Sequence, residues 1–456
     1  MVRRWFWKGV RVLRSFRLAN HRSIADEQEL LLMPANHAER SVVPVTAIYG
    51  ANASGKSNVI DGLGFMQSAV LQSFARWDVE GGVPRRPFRL SAQGRDQPSV
   101  YVAELVVDDV PYTYGFAVDD TEVVEEWLYS YPEKRRRMLF RRKRGDITFG
   151  TTLGGLKPKL EMLEELTRPN ALFLSAANRL NLGALSPVYE WFRGDLRIRG
   201  SSHAPDTGLA ERIQRLISTK PDNLNRLVSL LAAADVGITD VRIKETINRR
   251  HVHNIAIIEE RIADLTGLLD SDTGPRGKRG ITAELHNLHR ELEYFERRGA
   301  ERRAELRFVH GVEDELFSLG EESDGTRSWL RLLPTVLNVL DEGAVLAVDE
   351  IDTSLHPLLT AQLVRLFQDP ETNPDNAQLI FTTHDTSLLG TMIGDVLTRD
   401  QIWFVQKNAA GATEIYPLTD FKPRKGQNIE RRYLGGSYGA VPVLDEEDFV
   451  NAVRNR

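Results

Sequence analysis

Alternating and continuous apolar runs divide the chain into stretches of different period. Residues 12–18 and 28–33 alternate like two strands of an antiparallel hairpin or edge sheet, with the polar turn Asn20-His-Arg-Ser23 between them. Residues 42–49 are almost unbroken in apolar character, as in a buried strand. Val59, Ile60, Leu63 and Met66 then recur at helical spacing. Strand-like runs follow at 100–107, 112–118, 123–131 and 137–142, punctuated by Asp108-Asp109 and Asp119-Asp120. Acidic pairs of this kind mark turns, so the series predicts an antiparallel β-subdomain inserted after the first helix.

Residues 155–235 alternate helical periodicity with loops, as in 210–217 and 224–233. Two heptad-patterned segments come next: Ile255, Ile258, Ile262, Leu265 and Leu269, then Ile281, Leu285, Leu288, Leu292 and Phe295, joined by the polar stretch 270–280. They predict a short antiparallel coiled-coil arm over residues 248–298, with two ordinary amphipathic helices as the alternative. A further helix runs through Leu330, Leu333, Val336 and Leu340, and two short apolar strands lie at 345–348 and 378–383.

The break after the run 42–49 carries chemistry. Gly50-Ala-Asn-Ala-Ser-Gly-Lys-Ser57 is a complete G-x-x-x-x-G-K-[ST] loop between a strand and a helix, the context a phosphate cradle requires. Its glycines let backbone N–H groups face inward, Lys56 reaches the β- and γ-phosphates, and the Ser57 hydroxyl ligates Mg²⁺. The strand 345–348 ends in Asp349-Glu350, where one acid organises Mg²⁺ and its water and the second polarises the attacking water. The strand 378–383 ends in His384-Asp385, and strand C-terminal ends meet at the ligand crevice of an open α/β sheet. Ser323, in Glu322-Ser-Asp-Gly-Thr-Arg327, is placed to cap the helix that follows and to leave an anion site at its positive end.

Composition narrows the class further. The 456 residues carry a net charge of -5 and no cysteine, which excludes disulfides and thiolate metal sites and fits a cytoplasmic protein. No apolar run reaches the ~18 residues of a membrane span. Met1-Val-Arg-Arg-Trp-Phe-Trp-Lys-Gly-Val10 is basic and aromatic without a signal peptide's apolar stretch; it reads as a frayed terminus, with a membrane-surface or partner arm as the alternative. Arg135-Arg-Arg137 and Arg141-Arg-Lys-Arg144 put basic clusters on what reads as opposing arms of the last hairpin, residues 134–144. They offer a DNA or acidic-partner contact, and equally a charged edge protected against aggregation.

Together these motifs resemble ABC-type ATPase heads: the phosphate loop, the Ser-x-Gly-Thr helix start, Asp349-Glu-Ile-Asp-Thr-Ser-Leu-His-Pro357 and Thr382-Thr-His-Asp385. Leu18-Ala-Asn-His-Arg-Ser23 resembles the first-strand motif of those heads and of SMC-like proteins. Asp420-Phe-Lys-Pro-Arg-Lys425 and Asn428-Ile-Glu-Arg-Arg-Tyr-Leu-Gly-Gly-Ser-Tyr-Gly-Ala-Val-Pro442 are similar to the C-terminus of bacterial AAA-family ATPases of the RloA/AbiLi group, which are related to the overcoming-lysogenization-defect ATPases.

The resemblance implies an α/β P-loop NTPase, an ABC-ATPase-like head with an antiparallel β-subdomain and a helical, short coiled-coil insertion. Residues 1–150 and 311–456 would form the two halves of the head, with 151–310 inserted between them. It further implies ATP and Mg²⁺ as cofactors, with ATP sandwiched in a homodimer or higher homo-oligomer. Gly50, Asn52, Ser54, Gly55, Lys56, Ser57, Asn58 and Arg22 would hold the nucleotide from one copy, and Ser323 and Gly325 would meet it from the other. Ser57 and Asp349 would hold the metal, Glu350 would be the catalytic base, His384 the switch residue, and Asp352 part of the loop coupling the two sites.

Asp324 and Thr326 depart from the usual Leu-Ser-Gly-Gly-Gln signature. The glutamine that usually joins Mg²⁺ to the insertion has four candidates, Gln67, Gln72, Gln93 and Gln97. The function implied is control of a separately encoded effector, a nuclease in related systems, in antiphage defence. Asp445-Glu-Glu-Asp448 reads as a solvated tail. The rival reading is an SMC or repair-type ATPase that clamps duplex DNA, with Arg276, Lys278 and Arg279 at the tip of the arm adding to the hairpin's basic clusters.

Overall fold

The computed structural model describes residues 9–35, 42–180, 182–200, 208–246, 249–270, 281–282, 284–293, 303–311, 315–424, 426–442 and 445–454. The first eight residues, the tip stretch with Arg276, Lys278 and Arg279, and Phe295 lie outside them. The chain divides into two units, residues 1–204 with 335–456, and residues 205–334.

The first unit begins with strands β1 (Arg11–Ala19) and β2 (Gln28–Leu31), paired antiparallel. β3 (Val45–Gly50) feeds the helix Lys56–Arg76, whose buried face is Val59, Ile60, Leu63, Met66, Ala69, Val70 and Ser73. β4 (Ser99–Val107), β5 (Val110–Val118), β6 (Val123–Ser130), β7 (Arg137–Lys143) and β8 (Asp146–Phe149) then run up and down. The opening hairpin is not a separate sheet. β1 pairs with β4, giving one seven-stranded antiparallel sheet in the order β2-β1-β4-β5-β6-β7-β8.

β9 (Leu196–Arg199) lies inside a stretch whose sequence reads as helix and loop, yet it joins a second, six-stranded sheet. β13 (Val345–Val348), β14 (Gln378–Thr382), β15 (Ile402–Lys407) and β16 (Thr413–Pro417) complete that sheet in the order β16-β15-β3-β14-β13-β9. All neighbours are parallel except β15 and β16. β3, β13 and β14 are buried throughout, as strands covered on both faces must be. One apolar cluster runs from the antiparallel sheet through the helix Lys56–Arg76 to the parallel sheet. Gln378 adds a polar tie: its side-chain amide accepts from Leu13 N–H at 2.8 Å and donates to Leu13 C=O at 2.9 Å, where β1 bulges away from β4. A buried amide pairing both groups of a bulged residue leaves neither unsatisfied.

The second unit contains the helices Leu209–Thr219 and Asn223–Ala233 and a three-stranded antiparallel sheet, β10 (Ile238–Thr246), β11 (Arg303–His310) and β12 (Glu315–Ser318). Between β10 and β11 lie the helix Arg249–Asp270 and a helical stretch at 284–293. Ile258 and Leu265 are buried; Ile255, Ile262, Leu285, Leu288 and Leu292 are half-buried, and most other described positions of these two segments are exposed. An ion pair joins Arg261 to Glu284 at 3.3 Å. Among the described residues no helix is long and apolar enough to cross a membrane.

The basic clusters are placed differently from the expectation. Arg137 and Arg141 belong to one strand, β7, so the clusters sit at its two ends rather than on opposing arms. Arg142 points inward: it is 2% exposed and donates to the carbonyls of Arg144 and Ala171 at 2.6 Å and of Arg168 and Pro169 at 3.2 Å. It sits cross-strand from the buried Glu126, whose carboxylate accepts from Tyr114 Oη at 3.0 Å and from the N–H groups of Phe173 at 2.6 Å and Leu174 at 3.0 Å. Replacing Arg142 with Met removes four hydrogen bonds, although Arg168 C=O and Pro169 C=O keep the N–H groups of Ala171 and Val123, and leaves Glu126 without its neighbouring cation. The expected cost is about 3–5 kcal/mol, read as a lower urea midpoint; a shift within error would show that Arg142 does not hold this end of the sheet.

Candidate functional site

Three strand ends meet. β14 pairs with β3 so that Thr382 faces Ile48, and with β13 so that Phe381 faces Val348. The loops after β3, β13 and β14 therefore leave the sheet at one level of one edge, bringing together the residues from Gly50 to Ser57, Asp349-Glu350 and His384.

The phosphate loop is shaped by close approach from behind. A Cβ on Gly50 would lie 2.3 Å from Val405 C=O, and one on Gly55 2.3 Å from Thr413 Oγ1. Gly55 is left-handed at φ 108, as is Ala53 at φ 61, a conformation that costs a non-glycine residue about 1–3 kcal/mol. Gly55 directly precedes the helix Lys56–Arg76. Ser54 Oγ is buried with no hydrogen-bond partner, an orphaned polar atom within the loop that an anionic oxygen would satisfy.

Lys56 is 5% exposed, its Nζ donating to Gly50 C=O at 2.9 Å and Ala51 C=O at 3.1 Å. Burial pushes its pKa down to about 8, against the opposing pull of Glu350, Asp349 and Asp352. Glu350 occupies the left-handed region at φ 54. Its N–H donates to Thr382 Oγ1 at 2.7 Å, and that hydroxyl donates in turn to Asp349 Oδ1 at 2.7 Å. Thr382 thus fixes both acids from the neighbouring strand. Asp349 N–H is held by Arg199 C=O at 2.9 Å.

His384 is exposed, and its backbone N–H faces both carboxylate oxygens of Asp352 at 3.3 Å. Partial burial lowers the imidazole pKa, with Lys56 adding to the effect and Asp352, Glu350 and Asp349 opposing it. The ring is therefore held toward the neutral form.

Ser57 and Asp349 both line a cavity of about 540 Å³, together with Asn58, Asp61, Arg22 and Arg86. A hydroxyl and a carboxylate facing one cavity beside a phosphate loop suit Mg²⁺, which takes few protein oxygens and completes its shell with phosphate and water. Arg22 reaches the wall of this cavity with its charge already matched: Nε and Nη2 grip Asp61 at 2.5 and 2.8 Å, and His21 Nε2 meets the same carboxylate at 2.9 Å. Asn52 is exposed on the loop.

Gln67, Gln72 and Gln97 are not among the described residues that line the cavity. Gln67 is used elsewhere, its amide donating to Phe192 C=O at 2.8 Å and Leu196 C=O at 2.9 Å. The strand end beside Asp349 is that of β9.

Ser323 and Gly325 belong to the second unit. Ser323 is exposed; its Oγ accepts from Thr326 N–H at 3.1 Å, so it caps the helix Asp324–Glu342. The preceding Glu322 is buried and paired with His310 Nε2 at 2.8 Å.

The profile of the family described as "AAA domain, putative AbiEii toxin, Type IV TA system" matches residues 45–390, from the start of β3 to just beyond His384. The chain belongs to this family. It is accordingly a P-loop domain of the AAA ATPase type, a class that binds nucleotide, usually with Mg²⁺. No curated protein sequence matches it. Among solved structures it is similar to the Smc head domain with an extended coiled coil bound to the C-terminal domain of ScpA, derived from Pyrococcus furiosus, at 12% identity over 90% of this chain and 98% of that one, with a TM-score of 0.40. It is also similar to an Smc head bound to the C-winged helix domain of ScpA, at 13% identity over 90% and 99%, with a TM-score of 0.42.

The lowered pKa of Lys56 sets a pH dependence. The free protein loses the ammonium charge as pH rises through about 8, whereas a bound polyphosphate favours the charged form. ATP affinity should therefore fall above that pH, approaching about tenfold per pH unit, with a proton taken up on binding. Calorimetry in two buffers of different ionisation enthalpy measures both; a flat affinity from pH 7 to 9.5 would show that Lys56 is not at the phosphates.

Proposed function

We propose that the chain is an ATP-binding and ATP-hydrolysing head of the RloA/AbiLi type, in which two copies close on ATP and the closed assembly controls a separately encoded effector, a nuclease, in antiphage defence. The observation that carries the reading is the meeting of the phosphate loop, Asp349-Glu350 and His384 at one sheet edge.

In this reading Lys56 leaves the carbonyls of Gly50 and Ala51 for phosphate oxygens, which are stronger, charge-assisted acceptors. Ser57 and Asp349 would hold Mg²⁺, which would supply positive charge against that developing on the phosphates. Glu350 takes the proton of the water that attacks the γ-phosphorus as the bond to the β–γ bridging oxygen breaks. Thr382 keeps the carboxylates of Asp349 and Glu350 apart in role by bonding one through its hydroxyl hydrogen and holding the backbone of the other. The near-neutral His384 ring hydrogen-bonds the γ-phosphate. A second copy presents Ser323 and Gly325 at an exposed helix start, where unpaired N–H groups favour an anion. The family description names a toxin of a type IV toxin–antitoxin system, which supports a defence role.

The DNA-clamping reading has less behind it. Besides the inward Arg142, Arg141 pairs with Glu125 and Arg144 with Glu122, so much of the 134–144 charge is met within the sheet. Lys134, Arg135, Arg136, Arg137 and Lys143 remain exposed without a carboxylate partner among the described residues, Arg136 lying over the Tyr129 ring. Duplex binding that requires ATP and weakens steeply with salt would favour this second reading.

Glu350→Gln should bind ATP normally, hydrolyse it about 10²–10⁴-fold more slowly and accumulate a dimer, followed by phosphate release and light scattering. Hydrolysis at the native rate would remove Glu350 as the base. Ser323→Arg should leave binding to a single head intact and abolish the ATP-dependent dimer; the lost cap costs only about 1 kcal/mol. Unchanged assembly of this variant would eliminate the two-copy site.

A further inference from the structure

The phosphate loop is held from outside as well as by its own bonds, such as Ser54 N–H to Ala51 C=O at 3.2 Å. Thr413, 1% exposed at the start of β16, donates from Oγ1 to Ser54 C=O at 2.8 Å. The same hydroxyl lies 2.6 Å from Ser23 Oγ, and Ser23 Oγ accepts from Asn58 Nδ2 at 2.6 Å. Ser23 C=O in turn accepts from Thr413 N–H at 2.7 Å. Gly55 lies against both hydroxyls, since a Cβ there would stand 2.3 Å from Thr413 Oγ1 and 2.8 Å from Ser23 Oγ. Two side chains nearly the full length of the chain apart therefore clasp the loop at Ser54 and Gly55 and at Asn58, the second residue after Lys56.

We propose that Ser23 and Thr413 are positioning residues for nucleotide binding: their paired hydroxyls fix the peptide between Ser54 and Gly55 so that the inward N–H groups are aimed before the phosphates arrive. The inference rests on the ATP-binding reading above and extends it to residues outside the segment 45–390 that the family profile matches. It also assigns a role to the Asn20-His-Arg-Ser23 turn different from the one its arginine suggested. Arg22 is matched by Asp61, whereas Ser23 is the turn's contact with the loop. β16 suits such a brace, because its outer edge is covered: Thr413 N–H and Ile415 N–H are taken by Ser23 C=O and, at 2.8 Å, by Gln28 Oε1. A preaimed loop lowers the ordering cost of binding, so its loss appears in affinity rather than in the chemical step.

The test measures ATP binding by calorimetry in the presence of Mg²⁺, and hydrolysis at saturating ATP. Thr413→Val keeps the shape and removes the hydroxyl; its Kd should rise about five- to tenfold while kcat stays within about twofold. Thr413→Ser should restore the native Kd. Ser23→Ala should weaken binding in the same direction, and the double variant should be no worse than the weaker single one, as for two partners of one interaction. Native affinity in Thr413→Val, equal weakness in Thr413→Ser, or a fall in kcat at unchanged Kd would each overturn the brace. Should Thr413→Val fail to fold, Ser23→Ala carries the same readout at a half-buried position. Absence of ATP binding by the natural sequence would overturn the nucleotide reading first and the brace with it, an outcome distinct from native-like binding by the variants.

Discussion

The register in which β14 pairs with its two neighbours sets the height at which three loops leave the parallel sheet. Thr382 stands beside Ile48 on one side and, one residue beyond Phe381 and Val348, beside Asp349 on the other. Side chains alternate along a strand, so a slip of one residue would replace the Thr382 hydroxyl with a side chain directed to the opposite face. The hydroxyl is then lost from the two groups it joins, Asp349 Oδ1 and Glu350 N–H. Glu350 has its left-handed φ at this point, and the bond to Thr382 is what offsets that local cost. The strands are buried, so the apolar core enforces a register whose consequence is polar.

That geometry creates a charge cluster that is unfinished without a ligand. Lys56 is buried, and the charges of Glu350, Asp349 and Asp352 oppose the effect of its burial. Its hydrogen bonds go to neutral carbonyls of its own loop. A triphosphate would bring negative charge to Lys56 but also to three carboxylates, a repulsion that a divalent cation would offset. Ser57 and Asp349, which line one cavity, would give that cation a place.

What was legible in the sequence was local. The loop from Gly50 to Ser57 announces itself because its function requires residue types at fixed spacing within one turn of chain. Asp349-Glu350 and His384 were legible as strand ends because short apolar runs precede them. The β-subdomain was legible from turns. Thr382 was quoted in a motif without a role, since a threonine at the end of a strand looks like any β-branched residue until its neighbour across the sheet is known. Arg142 shows the same limit: in β7 it shares a face with Phe140, two residues away, and that parity was outweighed by three adjacent charges that suggested solvent. β9 has only Leu196 to Arg199, too short for a period to declare itself against the helices around it. The alternation of Val241 and Ile243 was a usable signal for β10, masked by Arg242 between them and by Lys244 and Glu245 after them. Ser23 and Thr413 could not have been paired at all, because nothing in either neighbourhood points to the other.

The parts of the head beyond the matched segment are packed onto the site. β15 lies beside β3 and forms the floor against which Gly50 is pressed. Phe404, within β15, stacks on Tyr433 at 5.3 Å and on Tyr438 at 5.6 Å, and Tyr433 meets Tyr49 edge-on at 5.8 Å, one residue before the phosphate loop. From the same helix as Tyr433, Ile429–Leu434, the carboxylate of Glu430 accepts from Thr386 Oγ1 at 3.3 Å, two residues after His384. A Cβ on Gly390 would lie 2.2 Å from that carboxylate, so the chain after His384 has no room to shift toward the helix. The loop after His384 is thus packed against Ile429–Leu434, a short helix whose outward face exposes Arg431, Arg432 and Leu434.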